Sequence, residues 1–359
     1  MNDKTYDIAI IGAGPAGTTL ARLLSQTYSI ALIDRRNLTD NEKPRAEKCC
    51  GGLIAPDAQE MLATFGMAVP RSVCADPQLF AVRTFDSGCK TERTYVRSYI
   101  NIDRELFDRW LVASVHQTVT LFMNTTIRHI ERTDTAVILN GHSPKGSCSI
   151  KARIVIGADG ARSHIRRFCS SQSPEPKTYI AIQGSFELTR HEPFFTAVFA
   201  PELTDFYGWT IPKNGSILAG IALPVNGKTL QAYDAFITIL RDRYGFLGNE
   251  IVRNGAYIYR PSGFNDIMTG DSRIALVGEA AGFISPSSAE GFSFAFKSAL
   301  MLAQALNCGL DGFAERYRRL TLSLKRSIVA KTIKSPFMYT PWLRRTILRT
   351  GIKSLSIIR

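Results

Sequence analysis

A glycine-rich turn near the start of the chain constrains the fold more than any other feature. Residues 6–11 (YDIAII) form a continuous apolar run, which is typical of a strand buried on both faces. The pattern Gly12-x-Gly14-x-x-Gly17 follows at once and opens a helical pattern over 18–26, and a second buried strand is predicted over 29–34. Strand, turn, helix and strand make a βαβ unit with parallel strands, which predicts an α/β fold.

The chemistry of this turn fits a dinucleotide. Gly12 permits the tight turn, Gly14 lets a pyrophosphate approach the backbone, and Gly17 allows close helix–strand packing. The helix N-terminus offers free N–H groups and a positive dipole end to phosphates. Asp34 ends the second strand, where a carboxylate can accept hydrogen bonds from ribose hydroxyls. The sequence therefore predicts a bound dinucleotide, and the alternative is a glycine-rich turn without a ligand.

The rest of the chain predicts an α/β domain interleaved with a β-rich one. In chain order we expect two alternating strands over 79–101, a helix over 103–115 with Asp103 as N-cap, a β-hairpin over 127–150 with Gly141 near its tip, a buried strand over 152–158, another over 273–277 and an apolar helix over 290–306. Residues 179–224 alternate apolar and polar side chains, which favours an antiparallel sheet with one open face.

The net charge of +13 is concentrated in the last segment. Residues 316–359 contain twelve Lys and Arg and no Asp or Glu, so the rest of the chain is close to neutral. Apolar residues, including Trp342, are interleaved with these cations, which favours a peripheral helix on an anionic membrane surface. A helical cap packed on the protein is the alternative. We expect no nucleic-acid partner, because no recognition motif is present.

Cysteine usage and hydropathy bear on the compartment. Seven cysteines are an odd number in a long chain, which argues against a disulfide scaffold and favours reduced thiols. The polar start predicts no signal peptide, and no apolar run reaches the roughly 18 residues of a membrane span. We expect a cytoplasmic protein that attaches peripherally to the inner face of the cell membrane.

Two further segments indicate a family. IVIGADG over 154–160 and GDSRIALVGEAAG over 270–282 follow the glycine turn in an order that resembles the superfamily of FAD-dependent hydroxylases and geranylgeranyl reductases. The resemblance implies a GR2/PHBH-type, Rossmann-like FAD-binding domain over 1–78, 101–175 and 264–310. An interleaved antiparallel-sheet substrate domain would cover 79–100 and 176–263, and basic C-terminal helices 311–359. FAD would be bound noncovalently.

The resemblance also implies a set of cofactor contacts. Glu279, where the family usually has Asp, would bind the ribityl chain, and Gly291 and Phe292 would open a helix facing the flavin. Arg104 would reach the pyrophosphate, or else be a solvated helix charge paired with Asp108. The whole set is Gly12, Ala13, Gly14, Ala16, Gly17, Asp34, Arg35, Cys50, Gly51, Gly52, Arg104, Thr126, Asp159, Gly160, Glu279, Gly291 and Phe292. No metal is expected.

One segment favours the reductases over the hydroxylases but does not decide between them alone. YGWTIPK over 207–213 resembles the YxWxFPK segment that lines the isoprenoid cavity of geranylgeranyl reductases, with Ile211 in place of Phe. Flavin-dependent halogenases carry a similar stretch but need an active-site lysine, for which Lys48 is a weak candidate. Residues 48–59, 97–104 and 277–290 also resemble enterobacterial colicin M resistance flavoproteins of the reductase-like group. Colicin M acts on the undecaprenyl carrier, so this resemblance implies a polyprenyl connection.

The expected activity is reduction of C=C bonds in a polyprenyl or isoprenoid lipid at the membrane surface. Cys50, Tyr207 and Trp209 are the candidate catalytic residues. The alternatives are an FAD-dependent monooxygenase of the aromatic hydroxylase type and a non-catalytic flavoprotein that binds a lipid carrier. Only one GxGxxG unit is present, so an external donor, either NAD(P)H or a ferredoxin-like electron-donor protein, would supply electrons.

Overall fold

A computed structural model describes residues 4–40, 49–169 and 177–356. The strands are β1 (Thr5–Ile11), β2 (Ile30–Ile33), β3 (Leu53–Ile54), β4 (Leu79–Asp86), β5 (Thr91–Asn101), β6 (Thr120–Phe122), β7 (Thr126–Arg132), β8 (Val137–Ser143), β9 (Gly146–Gly157), β10 (Thr178–Leu188), β11 (Phe195–Phe199), β12 (Gly208–Lys213), β13 (Ser216–Pro224), β14 (Leu247–Tyr259) and β15 (Ile274–Leu276). The helices are α1 (Pro15–Leu24), α2 (Pro56–Thr64), α3 (Arg104–Ala113), α4 (His164–Cys169), α5 (Thr229–Tyr244), α6 (Phe292–Asn307), α7 (Phe313–Leu320), α8 (Leu322–Tyr339) and α9 (Pro341–Thr350).

The described residues form two compact units. The first unit comprises 1–44, 107–177 and 259–330, and the second comprises 45–106, 178–258 and 331–359. These bounds differ from the sequence-based domains most in segment 45–78 and in the C-terminal segment, and by a few residues at the other boundaries. Segment 45–78 belongs to the second unit, where β3 pairs with β5. The C-terminal segment is divided, because Tyr317 donates a hydrogen bond to the Leu276 carbonyl while α9 packs on β5.

The first unit is built around a largely parallel sheet. Its strand order is β6-β2-β1-β9-β8-β7, and β15 also pairs with β9. β1 is parallel to both β2 and β9, so the βαβ unit predicted from the glycine turn is confirmed. All four residues of β2 are buried, and α1 packs against the apolar helix α6. This sheet therefore places the ends of β1, β2, β9 and β15 at one edge.

The prediction for Gly141 is wrong. Residues 126–157 form a three-stranded meander of β7, β8 and β9, and Gly141 lies inside β8 rather than at a hairpin tip. A Cβ on Gly141 would lie 2.1 Å from the Thr126 carbonyl oxygen, so the glycine serves the close approach of β7 at its bulge. The turn that joins β8 to β9 lies at 144–145, and Gly146 directly after it has a φ of +105°.

The second unit is a large sheet with one helix on it. The strand order is β14-β10-β13-β12-β11-β4-β5-β3, and the β10–β13, β12–β13 and β4–β5 pairs are antiparallel as predicted, whereas β11 runs parallel to β4. Helix α5 covers one face, where Phe236 and Leu240 are fully buried. A Cβ on Gly208 would lie 2.3 Å from the Phe236 ring, so the sequence allows close packing of α5.

A buried ion pair holds the C-terminal helices of the second unit. Arg344 of α9 is 4% exposed and donates from Nε to the carboxylate of Asp86, which is 2% exposed. Arg344 also donates to the Met338 carbonyl at 2.7 Å.

All seven cysteines are free, in agreement with the prediction. Within the described residues, no helix is both long and apolar enough to cross a membrane.

Removing one partner of this pair leaves a buried charge. We expect Asp86→Ala to lower the free energy of unfolding by about 3 kcal/mol, because the Arg344 guanidinium then lacks its counter-ion. The double variant Asp86→Leu/Arg344→Met should recover most of the loss. Urea unfolding followed by tryptophan fluorescence measures both. The exposed pair of Asp234 and Arg253 supplies the control, and Asp234→Ala should cost at most about 1 kcal/mol. Equal losses in the two single variants would contradict the role of burial.

Candidate flavin and substrate site

The glycine turn of the first unit has the geometry of a phosphate cradle. Gly12 has a φ of +107°, and a Cβ there would lie 2.3 Å from the Ala158 carbonyl oxygen. A Cβ on Gly17 would lie 1.9 Å from the Gly12 carbonyl oxygen. Helix α1 begins after Gly14, which has no side chain to accept hydrogen bonds from the first N–H groups. Those N–H groups are therefore available to a phosphate, with the helix dipole behind them.

The side chain of Asp34 holds this turn by a hydrogen bond. Its side chain is buried, and Oδ2 accepts the Ala13 N–H at 2.7 Å. Its Oδ1 accepts the Arg36 backbone N–H at 2.8 Å and Arg36 Nε at 3.2 Å. Arg36 also donates to Asp108 at 2.8 Å. Burial alone would lower the pKa of Arg36, but Asp108 and Asp34 raise it above its usual value. The ribose contact predicted for Asp34 stays a prediction, and Arg35 is exposed.

Asp159 has a buried oxygen without a partner. Its Oδ2 accepts the His164 N–H at 2.7 Å and the Ile165 N–H at 3.3 Å at the start of α4. Its Oδ1 is buried and has no hydrogen-bond partner in the described part of the chain. Burial raises the pKa of Asp159. A buried acceptor is costly when it is unsatisfied, so this oxygen fits a hydroxyl group of a bound ligand. Gly160 follows with a φ of +79°.

The remaining predicted contacts of the first unit fall in three places. Glu279 lies in a 3₁₀ turn, where Oε1 accepts the Tyr259 N–H at 2.9 Å. Gly291 caps α6, and Phe292 packs edge-to-face on Phe107 with ring centroids 5.4 Å apart. Thr126 is exposed at the start of β7. Its neighbour Thr125 is the buried residue of the two, and the Thr125 N–H donates to the Asp34 carbonyl at 2.9 Å.

In the second unit, the Cys49–Gly52 segment packs on strand β12. A Cβ on Gly51 would lie 2.7 Å from Ile211 Cδ1, so only glycine allows this approach. The Cys50 sulfur accepts the Gly52 N–H at 3.5 Å and lies 3.8 Å from Arg104 Nη1. Asp103 Oδ1 accepts the N–H groups of the two residues after Arg104, which confirms its predicted N-cap role. Lys48, the candidate halogenase lysine, lies outside the described residues.

The YGWTIPK strand carries the aromatic residues of this cluster. Trp209 is 8% exposed, and its Nε1 donates to Gln183 Oε1 at 2.9 Å. Tyr207 is half-buried and packs edge-on against Trp209 with ring centroids 5.9 Å apart. Gly220 lies under the Trp209 ring, since a Cβ there would be 2.7 Å from it. The structure therefore brings Tyr207, Trp209 and the Cys50 segment into one unit. The expected open face is not free along β12, whose residues are buried up to Pro212.

Lys213 is a site residue that sequence reasoning missed. Its Nζ donates to Asn101 Oδ1 and to the Ile102 carbonyl, each at 2.6 Å, and lies 3.4 Å from the Gly52 carbonyl oxygen. Burial lowers the pKa of Lys213 to about 8, although Cys50 and Asp103 oppose the shift. The lysine ties the strand to the segment that carries Cys50. Its place in the YGWTIPK segment was the available signal, but the acceptors are distant in sequence.

Comparisons with known proteins agree with this geometry. The family described as FAD binding domain matches residues 5–243. Protein CbrA of Escherichia coli O6:H1 is 35% identical over 351 residues, which cover 97% of this chain and 94% of CbrA. CbrA of Shigella sonnei is 35% identical over 97% of each chain.

Two solved structures share the fold. A geranylgeranyl bacteriochlorophyll reductase-like protein from Thermoplasma acidophilum has a TM-score of 0.81 at 17% identity, over 97% of this chain and 91% of its own. PqsL, a probable FAD-dependent monooxygenase from Pseudomonas aeruginosa, has a TM-score of 0.71 at 16% identity, over 97% of this chain and 100% of its own. The predicted α/β fold of the PHBH type, with two sheets and C-terminal helices, is therefore confirmed.

The unpartnered oxygen of Asp159 generates a prediction on flavin retention. We expect Asp159→Ala to weaken FAD binding by about tenfold, because a buried hydrogen bond from a ligand hydroxyl is lost. Bound flavin per protein after dialysis, read from its absorbance, measures the effect. Asp134→Ala, at an exposed turn of the same unit, is the control. A thermal melt accounts for the lost cap of α4. Unchanged retention in Asp159→Ala would contradict the assignment.

Lys213 generates a prediction on pH dependence. Its folded-state pKa lies below the ordinary 10.5, so between pH 8 and 10.5 the unfolded chain binds more protons. The stability of the native protein relative to Lys213→Met should therefore rise over this range, by at most about 3 kcal/mol. Below pH 8 the difference should be flat. Urea unfolding across the range measures it, and Lys228→Met, an exposed lysine in the same unit, corrects for the loss of one amine. A constant difference would contradict a buried ammonium.

Proposed function

Because the chain belongs to the FAD-binding domain family and matches CbrA along nearly its whole length, we propose that it reduces C=C bonds of a polyprenyl or related isoprenoid lipid. The coarser part of this statement, an FAD-dependent flavoprotein of the oxidoreductase and monooxygenase type, follows from the family. The finer part depends on one observation. The Cys50 segment is packed on the aromatic strand Tyr207–Lys213 and tied to it by Lys213.

The residues of the first unit fit FAD. The N–H groups at the start of α1 would hold the pyrophosphate, and Asp159 Oδ1 would accept a hydrogen bond from a hydroxyl of the cofactor. Gly12 and Gly17 keep that approach open because no Cβ fits at either position. When bound and reduced, FAD would supply the hydride for the reaction. The electron donor, NAD(P)H or a ferredoxin-like protein, stays a prediction.

The second unit supplies an apolar wall and a proton. Trp209 and Ile211 are buried, with the indole N–H satisfied by Gln183, so they back the half-buried Tyr207, whose ring would lie beside a hydrocarbon chain. Such a wall excludes water, and the reduction of an unactivated alkene requires a site from which water is excluded. The Cys50 thiol would give its proton to the alkene carbon. The Gly52 N–H and the Arg104 guanidinium, both near the sulfur, would stabilise the negative charge left on it.

The second candidate activity is monooxygenation. PqsL, a probable monooxygenase, shares this fold just as the reductase-like protein does. Because fold alone does not set the reaction, the fold does not decide between the two activities. The two candidates differ in their need for oxygen. A flavoprotein that only binds a lipid carrier would give no more than a single turnover.

Anaerobic turnover separates these candidates. We expect the protein, kept reduced by excess dithionite, to convert geranylgeranyl phosphate or undecaprenyl phosphate to products heavier by two hydrogens per reduced bond, over many turnovers without oxygen. Mass spectrometry measures the product. A product that forms only with oxygen, and carries an added oxygen atom, would replace reduction by hydroxylation.

Cys50 has a matched control next to it. Cys50→Ala should lower the rate of reduction by about 100-fold with flavin content unchanged, because a positioned acid is lost. Burial raises the pKa of Cys49 to about 12, and its thiol lies 3.8 Å from the Ala181 carbonyl oxygen, so Cys49→Ala should stay within about twofold of the native rate. Equal rates in the two variants would remove Cys50 from the reaction.

A further inference from the structure

The C-terminal part of the second unit exposes an unusual number of large apolar side chains. Ile333 and Phe337 lie on α8, Trp342 and Ile347 on α9, and Ile352 in the segment after it. Trp342 is 66% exposed and Ile352 is 70% exposed. The docking surface, as we define it, consists of the exposed apolar residues Ile333, Phe337, Met338, Trp342, Ile347, Ile352 and Leu355 and the exposed cations Lys334, Arg345, Arg349 and Lys353. Folded proteins rarely leave so many apolar groups in water unless a partner covers them.

Nine of the twelve basic residues of the tail fall into two groups, those held by contacts within the protein and those exposed among apolar side chains. Arg318 and Arg319 pair with Glu315, and Arg316 donates to the backbone carbonyls of Ala305 and Asp311. Lys325 and Arg344 are buried. The four cations of the docking surface are exposed, and no acidic residue follows Glu315 in the sequence. Positive charge therefore reaches solvent where the apolar side chains do.

The backbone under this surface is held in place. On α9, Arg344 is paired with Asp86 and Leu348 is buried. At the end of α8, the ring of Tyr339 packs on Phe199 and Phe206 with centroids 5.7 and 5.3 Å apart. Within the segment after α9, the Leu355 N–H donates to the Thr94 carbonyl at 2.7 Å. The apolar residues are thus displayed outward by helices whose other faces are buried.

A polar groove adjoins the surface. It is lined by Arg93 and Thr94 of β5 and by Arg349, Gly351 and Ser354. Glu92 also lines it, and its carboxylate lies 3.4 Å from Arg243 and accepts the Tyr244 hydroxyl. Two guanidinium groups and one carboxylate therefore line a groove beside Ile352 and Leu355. Arginine guanidinium groups bind phosphate oxygens well.

We propose that the docking surface binds an anionic phospholipid bilayer. Cations interleaved with Trp, Phe and Ile on short helices match a headgroup layer, where the charges meet lipid phosphates and the rings enter the acyl boundary. Nucleic acid would satisfy the cations but leave the apolar side chains in water. The inference is independent of the proposed reaction, because it depends only on the described C-terminal residues and is tested without turnover.

Sedimentation with vesicles tests the surface. The full flavin-containing chain should sediment with vesicles of phosphatidylcholine and phosphatidylglycerol and not with phosphatidylcholine alone. Binding should weaken as salt rises, since the charges become screened. We expect the charge-reversed variant Arg345→Glu/Arg349→Glu/Lys353→Glu to lose at least about tenfold in affinity. The apolar variant Ile333→Ser/Phe337→Ser/Trp342→Ser should show a similar loss.

Matched variants elsewhere control for charge and hydrophobicity. Arg128→Glu/Lys145→Glu/Lys151→Glu changes the net charge equally on exposed positions of the first unit, and Leu230→Ser removes an exposed apolar residue of α5. Both should bind as the native chain does. Circular dichroism and flavin content establish that each variant is folded.

Tryptophan emission gives a second readout. Addition of anionic vesicles should shift the emission to the blue, and Trp342→Phe should abolish the shift while the protein still sediments. Equal sedimentation of the charge-reversed and control variants would overturn the proposal, as would a complete lack of sedimentation. Binding of the native chain to duplex DNA but not to vesicles would also overturn it, in favour of a nucleic-acid partner.

Discussion

The first unit depends on close backbone packing at the end of β1, where the glycine turn meets the turn that follows β9. No Cβ fits at Gly12 or Gly17, because the Ala158 and Gly12 carbonyl oxygens occupy that space. Asp34 then holds the turn by accepting the Ala13 N–H. Among the residues that the structure describes, no side chain caps the N-terminus of α1, and Asp159 Oδ1 has no hydrogen-bond partner. These polar groups fit a ligand that carries phosphates and hydroxyls.

In the second unit, the charge of Lys213 is disfavoured by removal from water. Lys213 reaches three oxygens from two separate chain segments, and its hydrogen bonds offset the burial of its charge. Through Lys213, the segment that carries Cys50 and the aromatic strand are held together. In the proposed reaction, this junction would hold the Cys50 thiol beside the aromatic segment that carries Tyr207.

Charge and burial also separate the roles of the basic tail. A count of twelve cations suggests one uniform surface, yet the structure buries Lys325 and Arg344, pairs Arg318 and Arg319 with Glu315 and exposes four others among apolar groups. The buried Arg344 and the exposed Arg345 are adjacent in sequence and have opposite functions, because a helix turns successive side chains by about 100°. The first anchors α9 to Asp86, and the second faces solvent.

Much of the fold could be predicted because its signals are local. Apolar runs define β1, β2 and β9, and glycine spacing defines the turn between β1 and α1, since burial on both faces and a missing Cβ are recorded directly in residue type. Gly141 was misplaced because its reason, the approach of Thr126, is a tertiary contact.

The site divides in the same way. Sequence alone determined the chemical types present: a phosphate-binding turn, an Asp-Gly pair, a thiol beside two glycines and an aromatic strand. Tertiary structure decided which of these groups are already satisfied and by what partner. Asp34 accepts hydrogen bonds from Ala13 and Arg36, Asp159 Oδ1 has no partner in the described segments, and Lys213 donates to Asn101. Hydrogen-bond partners and burial depend on segments far apart in the chain, so no local pattern can specify them.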